Sequence, residues 1–564
     1  MHRLLLLFVF LPVTVLAQSP YPNPAPEGRF TVTLDALNSQ ETNACLYDVL
    51  GRRLFCTPAS VPAGSFSVEF TVNAAPGTYL WRVGSRSGKV AVTGRAARTA
   101  ITFRANSITT GVQTSRDVLP RIDIPPNYAP NVLLVVADDM GWADVGVNGQ
   151  AWDVPTPNID RVANEGINIT QAYAPSPVCS PSRASLLTAR RPSDIAWHNA
   201  LAPSQDTNAL WGVPDWLDEN ETTMADAFKT AGYRTGIVGK WHLGWNPMYV
   251  APSPGEYGFD YWQIWGVELN GFSIPFWEGV QAEADSVLAF IDSGPEPFFV
   301  VWTSGAPHAP QYPLRNQIAP LAHLGPANRT QDFAGSGQVY YTSIAQIDEH
   351  LGRLLDHLEA IGQLDNTIVI FTSDNGPETL NPIVRSASHM AAGAAMGPFR
   401  GGKRTLYEGG IRAPFFVRFP SKVPAGSVDR TTLFSLMDLW PTLATMTDVP
   451  PPSVTDGEDL SGAWMGTPMT REEDLLWEFR GRQLGHSLAI SPWRAIRQGK
   501  WKLLMNSDES RVELYDLEKD PWEVLDLAAA KPNTVARLSG LLAAWQPPPG
   551  HIDPYAGVRM WAWP

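Results

Sequence analysis

Four apolar runs in the middle of this chain each stop on residues that carry charge or protons. "NVLLVVADDM" ends in Asp138 and Asp139, "RTGIVGKWHLG" leads to Lys240 and His242, "PFFVVWTSGAPHAP" to His308, and "NTIVIFTSDNG" to Asp374 and Asn375. A strand that is apolar without alternation is covered on both faces, as in a parallel sheet between helices. Helical spacing fills the intervals, in "TPNIDRVANEG", "TTMADAFKTAGY" and "YYTSIAQIDEHLGRLLDHLEAIG". The alternation predicts an α/β unit with a mostly parallel sheet flanked by helices. Ligands of such sheets gather beyond the carboxyl ends of the strands. A single Asp or Asn after a strand is commonly a cap or a turn former, but four polar strand ends in one unit point to one shared site.

The donors in that set are hard. Asp138, Asp139 and Asp374 offer carboxylates and Asn375 an amide oxygen, with no histidine or thiolate cluster at zinc spacing. They suit Ca2+ or Mg2+, and calcium, which accepts irregular oxygen shells and an anionic substrate oxygen, is the better match. Arg183, Lys240 and Lys403 add charge that complements a tetrahedral oxyanion, while His242 and His308 are able to move protons. A net charge of −14 excludes nucleic acid or other polyanions held by overall attraction. An anionic ester therefore needs this local basic site.

At 564 residues the chain exceeds one ordinary core. His2 and Arg3 precede an apolar run that closes on Val15-Leu16-Ala17, which predicts a signal peptide over 1–17 and export to the periplasm, the cell surface or the medium. The run is too short to span a bilayer, and no later segment is long and apolar enough to do so. Residues 18–103 read as a small β-sandwich, from "RFTVTL", "ACLYDV", "RRLFC", "SFSVEFTV" and "TYLWRV". A linker over 104–127 ends near "DIPPNYAP", and the α/β catalytic domain takes 128–448. In the C-terminal subdomain, 449–564, "PWRAIRQGKWKLL" and "RVELYDL" alternate as a small antiparallel sheet and "DLAAAKPNTVARLSGLLAAW" reads as a helix.

Three cysteines remain to be placed. In "ACLYDVLGRRLFC" a two-residue turn at Leu50-Gly51 sets Tyr47 opposite Leu54 and Cys45 opposite Cys56, at the roughly 5.5 Å Cα separation that a disulfide accepts. A longer loop would change that register and leave both thiols free. With that pair made, Cys179 in "PVCSPSRAS" is a lone thiol in an oxidising compartment. Burial as an inert core residue is the ordinary reading. Yet Pro177 and Pro181 restrict the backbone and "RASLLTARR" begins a helix just afterwards, which reads as a loop that presents Cys179 at an anion-favouring helix start.

These motifs together resemble the formylglycine-dependent sulfatases of the alkaline phosphatase superfamily. "CSPSR" matches that family's Cys-x-Pro-Ser-Arg signature, and the resemblance runs from about Asn131 to Asp526 through "ADDMGWADVG", "GYRTGIVGKWHLG", "APHAP", "TIVIFTSDNG", "FRGGKRTLYEGGIRAPF", "WRAIRQGKWKLL" and "LYDLEKDPWE". It implies that a formylglycine-generating enzyme oxidises Cys179 to 3-oxoalanine (formylglycine). One calcium ion would then be held by Asp138, Asp139, Asp374, Asn375 and the modified Cys179. It further implies that Arg183 steadies that residue and that Lys240 and Lys403 grip the sulfate. A hydroxyl of the hydrated aldehyde attacks sulfur, His308 with Lys403 protonates the leaving oxygen, and the second hydroxyl loses its proton toward His242 as sulfate leaves. The implied substrate is a sulfate ester of a small molecule or a carbohydrate. The competing readings are a phosphodiester or phosphonate monoester hydrolase of the same superfamily, a cysteine hydrolase that uses Cys179 as thiolate, and a non-catalytic sulfated-glycan binder if Cys179 is not matured.

The N-terminal pieces "YPNPAPEGRF", "LYDVLGRRL" and "APGTYLWRV" resemble the sorting domain of the type IX secretion system, which usually closes a chain, so an accessory β module is expected here. His198 and His389 flank the motifs and either line a pocket or pack. Glu408 and Arg412 are expected to orient their neighbours within a buried network. Arg480 and Arg482 would offer local positive charge, and the terminal "WAWP" would stack on sugars or pack.

Overall fold

A computed structural model of the chain describes backbone strands between 29 and 110, and residues 129–149, 155–202, 205–244, 251–264, 279–308, 337–378, 399–481 and 490–546. The expected signal peptide, His389, Arg482 and "WAWP" lie outside the described residues. The chain divides into two compact units, Met1–Asp123 and Ile124–Pro564.

In the first unit, eight strands pair antiparallel into two four-stranded sheets. One runs Arg29–Ala36, Gly64–Thr71, Ala100–Ala105, Ile108–Thr110, and the other Arg53–Val61, Gln40–Asp48, Gly77–Val83, Arg86–Val92. The strand Ala100–Ala105 crosses the expected end of the module at 103, and Ile108–Thr110 falls in the expected linker. In the hairpin, Cys45 does stand opposite Cys56, but Tyr47 faces Arg53 rather than Leu54. A bulge between Leu46 and Tyr47 absorbs the extra residue. Leucine is a poor first residue for a tight turn, and the bulge restores the cysteine register by another route. Non-reducing peptide mapping is expected to recover a peptide joining Cys45 to Cys56; two alkylatable thiols in this unit would refute the bridge.

The second unit is built on one sheet of eight strands: β1 (Asn131–Asp138), β2 (Ile167–Ile169), β3 (Arg234–Gly239), β4 (Tyr261–Ile264), β5 (Phe298–Pro307), β6 (Thr367–Ser373), β7 (Phe415–Arg418) and β8 (Ser427–Asp429). Their order is β4-β3-β5-β1-β6-β7-β2-β8. The run β4-β3-β5-β1-β6 is parallel throughout, and β7 reverses direction beside β6. The four strands that end in chemistry are thus consecutive neighbours, β3-β5-β1-β6, and they all point the same way. Pro307 lies beside Asp138 and Ser373 beside Ala137, so their ends emerge on one edge.

Two cores explain the unbroken apolar runs. Leu133, Val135 and Ala137 of β1 face a core with α1 (Pro157–Asn164), α4 (Gly279–Asp292) and α5 (Gly337–Ala360). Val132, Leu134 and Val136 face the opposite core, with α2 (Cys179–Thr188), α3 (Met224–Thr230) and α6 (Leu439–Thr447). All six are buried, and each such side chain contributes roughly 1.5–3 kcal/mol of transfer free energy for the larger ones.

The C-terminal strands β9 (Leu475–Glu478), β10 (Arg494–Gln498), β11 (Trp501–Met505) and β12 (Val512–Asp516) form an antiparallel sheet in chain order. One face packs Ile496, Leu503 and Leu514 on Leu538 and Leu542 of α7 (Pro532–Ala544). That helix starts at Pro532 rather than at "DLAAA", since proline suits a first turn and disrupts an interior. The other face sets Trp477, Leu504 and Tyr515 against Tyr173, Val178, Leu406 and Tyr407, so this subdomain backs directly onto the segments around Cys179 and Lys403. Among the described residues no helix is long and apolar enough to cross a membrane.

Candidate active site

Asp138 ends β1 and is fully buried. Asp139 follows with φ 65°, and two other residues at this edge, His242 (φ 58°) and Arg404 (φ 71°), share the left-handed conformation. Each such non-glycine residue carries a cost of order 1–3 kcal/mol that persists only where the surroundings impose it, and such residues cluster at functional sites.

Cys179 does not sit in a loop ahead of a helix. It opens α2 itself, after an extended Val178, and is 2% exposed. Pro181 is tolerated because first-turn N–H groups have no intrahelical acceptor. The Cys179 Sγ lies 3.4 Å from Asp138 Oδ1 and 3.7 Å from Asp139 Oδ1. Ligand atoms of Asp138, Asp139, Cys179 and Asp374 all fall within 4.8 Å of one another.

Each carboxylate has its own cation. Lys240 Nζ is 2.6 Å from Asp138 Oδ2, Lys403 Nζ is 2.5 Å from Asp139 Oδ2, and Arg183 donates Nε to Asp374 Oδ2 at 2.8 Å. Arg183 also donates to the Lys240 carbonyl at 2.8 Å, which ties α2 to the end of β3. Asn375 Nδ2 donates to Asp139 Oδ1 at 2.7 Å, while the Asp139 N–H reaches Asp374 Oδ1 at 3.1 Å. His308 Nε2 stands 3.6 Å from Asp139 Oδ2, with its side chain 31% exposed.

Burial alone would raise the Asp139 carboxyl, but Lys403, His308 and Lys240 together hold it far below the usual range. Asp374 goes the other way: burial, only partly offset by Arg183, pushes it up to about 6. Burial also pushes the Cys179 thiol up to about 12, against the pull of Lys240 and Lys403. Burial, with Lys240 and Arg183 nearby, keeps His242 well below its ordinary value. Its Nε2 faces the Leu201 carbonyl at 3.2 Å, and a carbonyl only accepts, so the proton of the neutral ring lies on Nε2 and Nδ1 is the basic nitrogen. That Nδ1 is buried with no hydrogen-bond partner.

The donor set fits a hard divalent cation. Asn375 Oδ1 is buried without a hydrogen bond, on the same amide whose Nδ2 donates to Asp139 Oδ1. Three carboxylates balance three cationic side chains, so a divalent ion would leave a surplus of positive charge for an anionic ester.

Other expected residues fall elsewhere. His198 is buried against Glu478 (Nδ1 to Oε1, 3.0 Å), and Arg480 shares that carboxylate at 2.8 Å, so both belong to the contact between the segment that follows α2 and the end of β9. Glu408 and Arg412 do form a buried pair. Sequence reasoning missed Arg404, which pairs with Glu378 and donates its N–H to the Pro177 carbonyl beside Cys179. It also missed Tyr340, which hydrogen-bonds Asp144 at 2.6 Å under the Asp139 turn. Arg404 stood next to a predicted site residue; Tyr340 gave no signal beyond its place in an apolar helix face.

Comparison with known proteins adds three findings. Residues 130–449 match the family model described as Sulfatase, and 399–540 match the one described as N-sulphoglucosamine sulphohydrolase, C-terminal. Human N-acetylgalactosamine-6-sulfatase is 32% identical over 77% of this chain and 88% of its own length. An N-acetylgalactosamine-6-O-sulfatase of Bacteroides thetaiotaomicron is 29% identical over 73% of this chain and 92% of its own length. Among solved structures, Ps i-CgsB in complex with k-i-k-neocarrahexaose superposes with a TM-score of 0.61 at 25% identity, over 76% of this chain and 96% of that one.

Proposed function

This chain belongs to the sulfatase family and hydrolyses sulfate esters, and we propose that its substrate is a sulfated carbohydrate, cleaved with a calcium ion and a formylglycine derived from Cys179. The observation that carries the reading is the knot of Asp138, Asp139, Cys179 and Asp374 within 4.8 Å, each carboxylate faced by its own cation.

Asp138, Asp139, Asp374, Asn375 and residue 179 would hold the calcium, which when bound would draw electron density from the sulfate oxygens. Formylglycine, hydrated, would supply one hydroxyl for attack at sulfur and a second for the release of sulfate, which neither a thiol nor a serine offers. Lys240 and Lys403, already turned to the carboxylates, would hold the sulfate oxygens and orient them. His308, open at the mouth, would donate a proton to the departing alcohol. His242, kept neutral by burial, would hold its Nδ1 ready for the proton that residue 179 gives up. A thiolate mechanism finds little support here, because burial favours the protonated thiol.

The two relatives act, by name, on N-acetylgalactosamine 6-sulfate, which makes a 6-sulfated galactosamine the first substrate to test. Maturation by a formylglycine-generating enzyme and export to the periplasm, cell surface or medium complete the reading; the N-terminal apolar run and "CSPSR" support them. The two sheets of the first unit support an accessory β-sandwich. Purified protein should release sulfate from 6-sulfated galactosamine oligosaccharides and from an aryl sulfate. Faster turnover of an aryl phosphonate monoester or phosphodiester than of every sulfate ester would overturn the assignment.

A further inference from the structure

The turn Glu408–Ile411 touches three of the segments that carry the site. Its Gly410 carbonyl accepts from the N–H of Gly376, the residue after Asn375, at 2.9 Å. The Gly409 N–H donates to the Arg400 carbonyl at 2.8 Å, in the loop that carries Lys403, and the Ile411 carbonyl accepts from Ala174, five residues ahead of Cys179, at 2.7 Å. There is no slack at the first contact: a Cβ on Gly376 would lie 1.9 Å from the Gly409 oxygen.

Glu408, the first residue of that turn, is gripped from the C-terminal subdomain. Lys502 of β11, wholly buried, donates to Glu408 Oε1 at 2.9 Å and pairs with Glu523 Oε1 at the same distance. Glu523 in turn accepts the Glu408 N–H on its Oε2 at 2.7 Å. The other Glu408 oxygen is taken by Tyr173 Oη at 2.9 Å and Arg412 Nε at 3.0 Å. Buried ion pairs contribute little net stability over apolar packing, and their best-attested use is to fix one arrangement among several. Here they define position and orientation of the turn from both sides.

We propose that Lys502 and Glu523 are positioning residues for sulfate ester hydrolysis: through Glu408 they set the backbone that aims Asn375 and Lys403. The inference rests on the reading of Asn375 and Lys403 as site residues. Neither Lys502 nor Glu523 touches the reacting groups.

The test is the double variant Lys502→Met, Glu523→Gln, which removes the cation and its outer acid together and leaves Glu408 paired with Arg412. Misplacement of a catalytic group by about 1 Å costs on the order of a hundredfold. The expected result is a cooperatively melting protein whose kcat on an aryl sulfate falls about tenfold or more, with KM within about threefold. Its calcium affinity, read by calorimetry, falls in parallel. A folded double variant with parental kcat and calcium affinity overturns the proposal. Should that variant not fold, Glu523→Gln alone carries the test: loss of kcat and calcium affinity with KM kept supports the proposal, and parental values sink it. Lys403→Ala serves as the control for the underlying reading, since full activity there would fault the site assignment and not the coupling.

Discussion

Cys179→Ala is expected to abolish turnover, with a loss in kcat of about 10,000-fold or more, as removal of a covalent nucleophile produces elsewhere. Its Sγ occupies the centre of the carboxylate knot, 3.4 Å from Asp138, in the first turn of α2. Stability should change by no more than about 1 kcal/mol, because one small buried group is removed without stranding a charge. Steady-state kinetics and a thermal melt read the two effects separately. Peptide mass analysis of the active parent should show the aldehyde at position 179; an enzyme that hydrolyses sulfate esters while carrying an unmodified thiol there would contradict the nucleophile assignment.

Asp374→Ala should remove calcium and activity together, and it should also destabilise the fold. Calcium affinity follows the number of charged ligands, and Asp374 is one of three carboxylates in the knot. The same carboxylate accepts a hydrogen bond from Arg183 Nε at 2.8 Å and lies 2.8 Å from its Nη2 as an ion pair, in a place where the Arg183 side chain is 4% exposed. Removing one partner of a buried pair leaves the other charge uncompensated, at a cost of about 3–5 kcal/mol. Asp374→Asn separates the two effects: it retains an acceptor for Arg183 and loses only the charge, so it should fold with less loss and still bind calcium weakly. Full metal occupancy in folded Asp374→Asn, by elemental analysis, would be incompatible with the proposed ligand set.

The strand ends were legible because a parallel strand must be apolar on both faces, so the first polar residue after it marks the rim. That reasoning found Asp138, Lys240, His308 and Asp374 from local pattern alone. A helix start near Cys179 was legible, but not that Cys179 itself opens the helix: "CSPSR" reads as a loop ahead of it until Cys179 is seen in the first turn, after an extended Val178. The left-handed backbones of Asp139, His242 and Arg404 left no sequence trace either, since only glycine or asparagine advertises that region. Lys502 looked like any lysine of an alternating strand, although it is wholly buried between two glutamates.

What the sequence determined by itself was the α/β class, the mostly parallel sheet, the small C-terminal antiparallel sheet and the chemistry gathered at four strand ends. All of these follow from periodicity and from residue type over a few neighbouring positions. Only the tertiary structure decided that β3, β5, β1 and β6 are consecutive, and which cation faces which carboxylate. Lys403 meets Asp139 across 264 residues and Arg183 meets Asp374 across 191. Contacts at such separations depend on the order of the strands in the sheet and on the turns at their ends, which no local pattern encodes. The C-terminal grip on Glu408 belongs to the same class, with Lys502 reaching it across 94 residues. A buried charge is stable only beside its partner, and the fold alone brings that partner near.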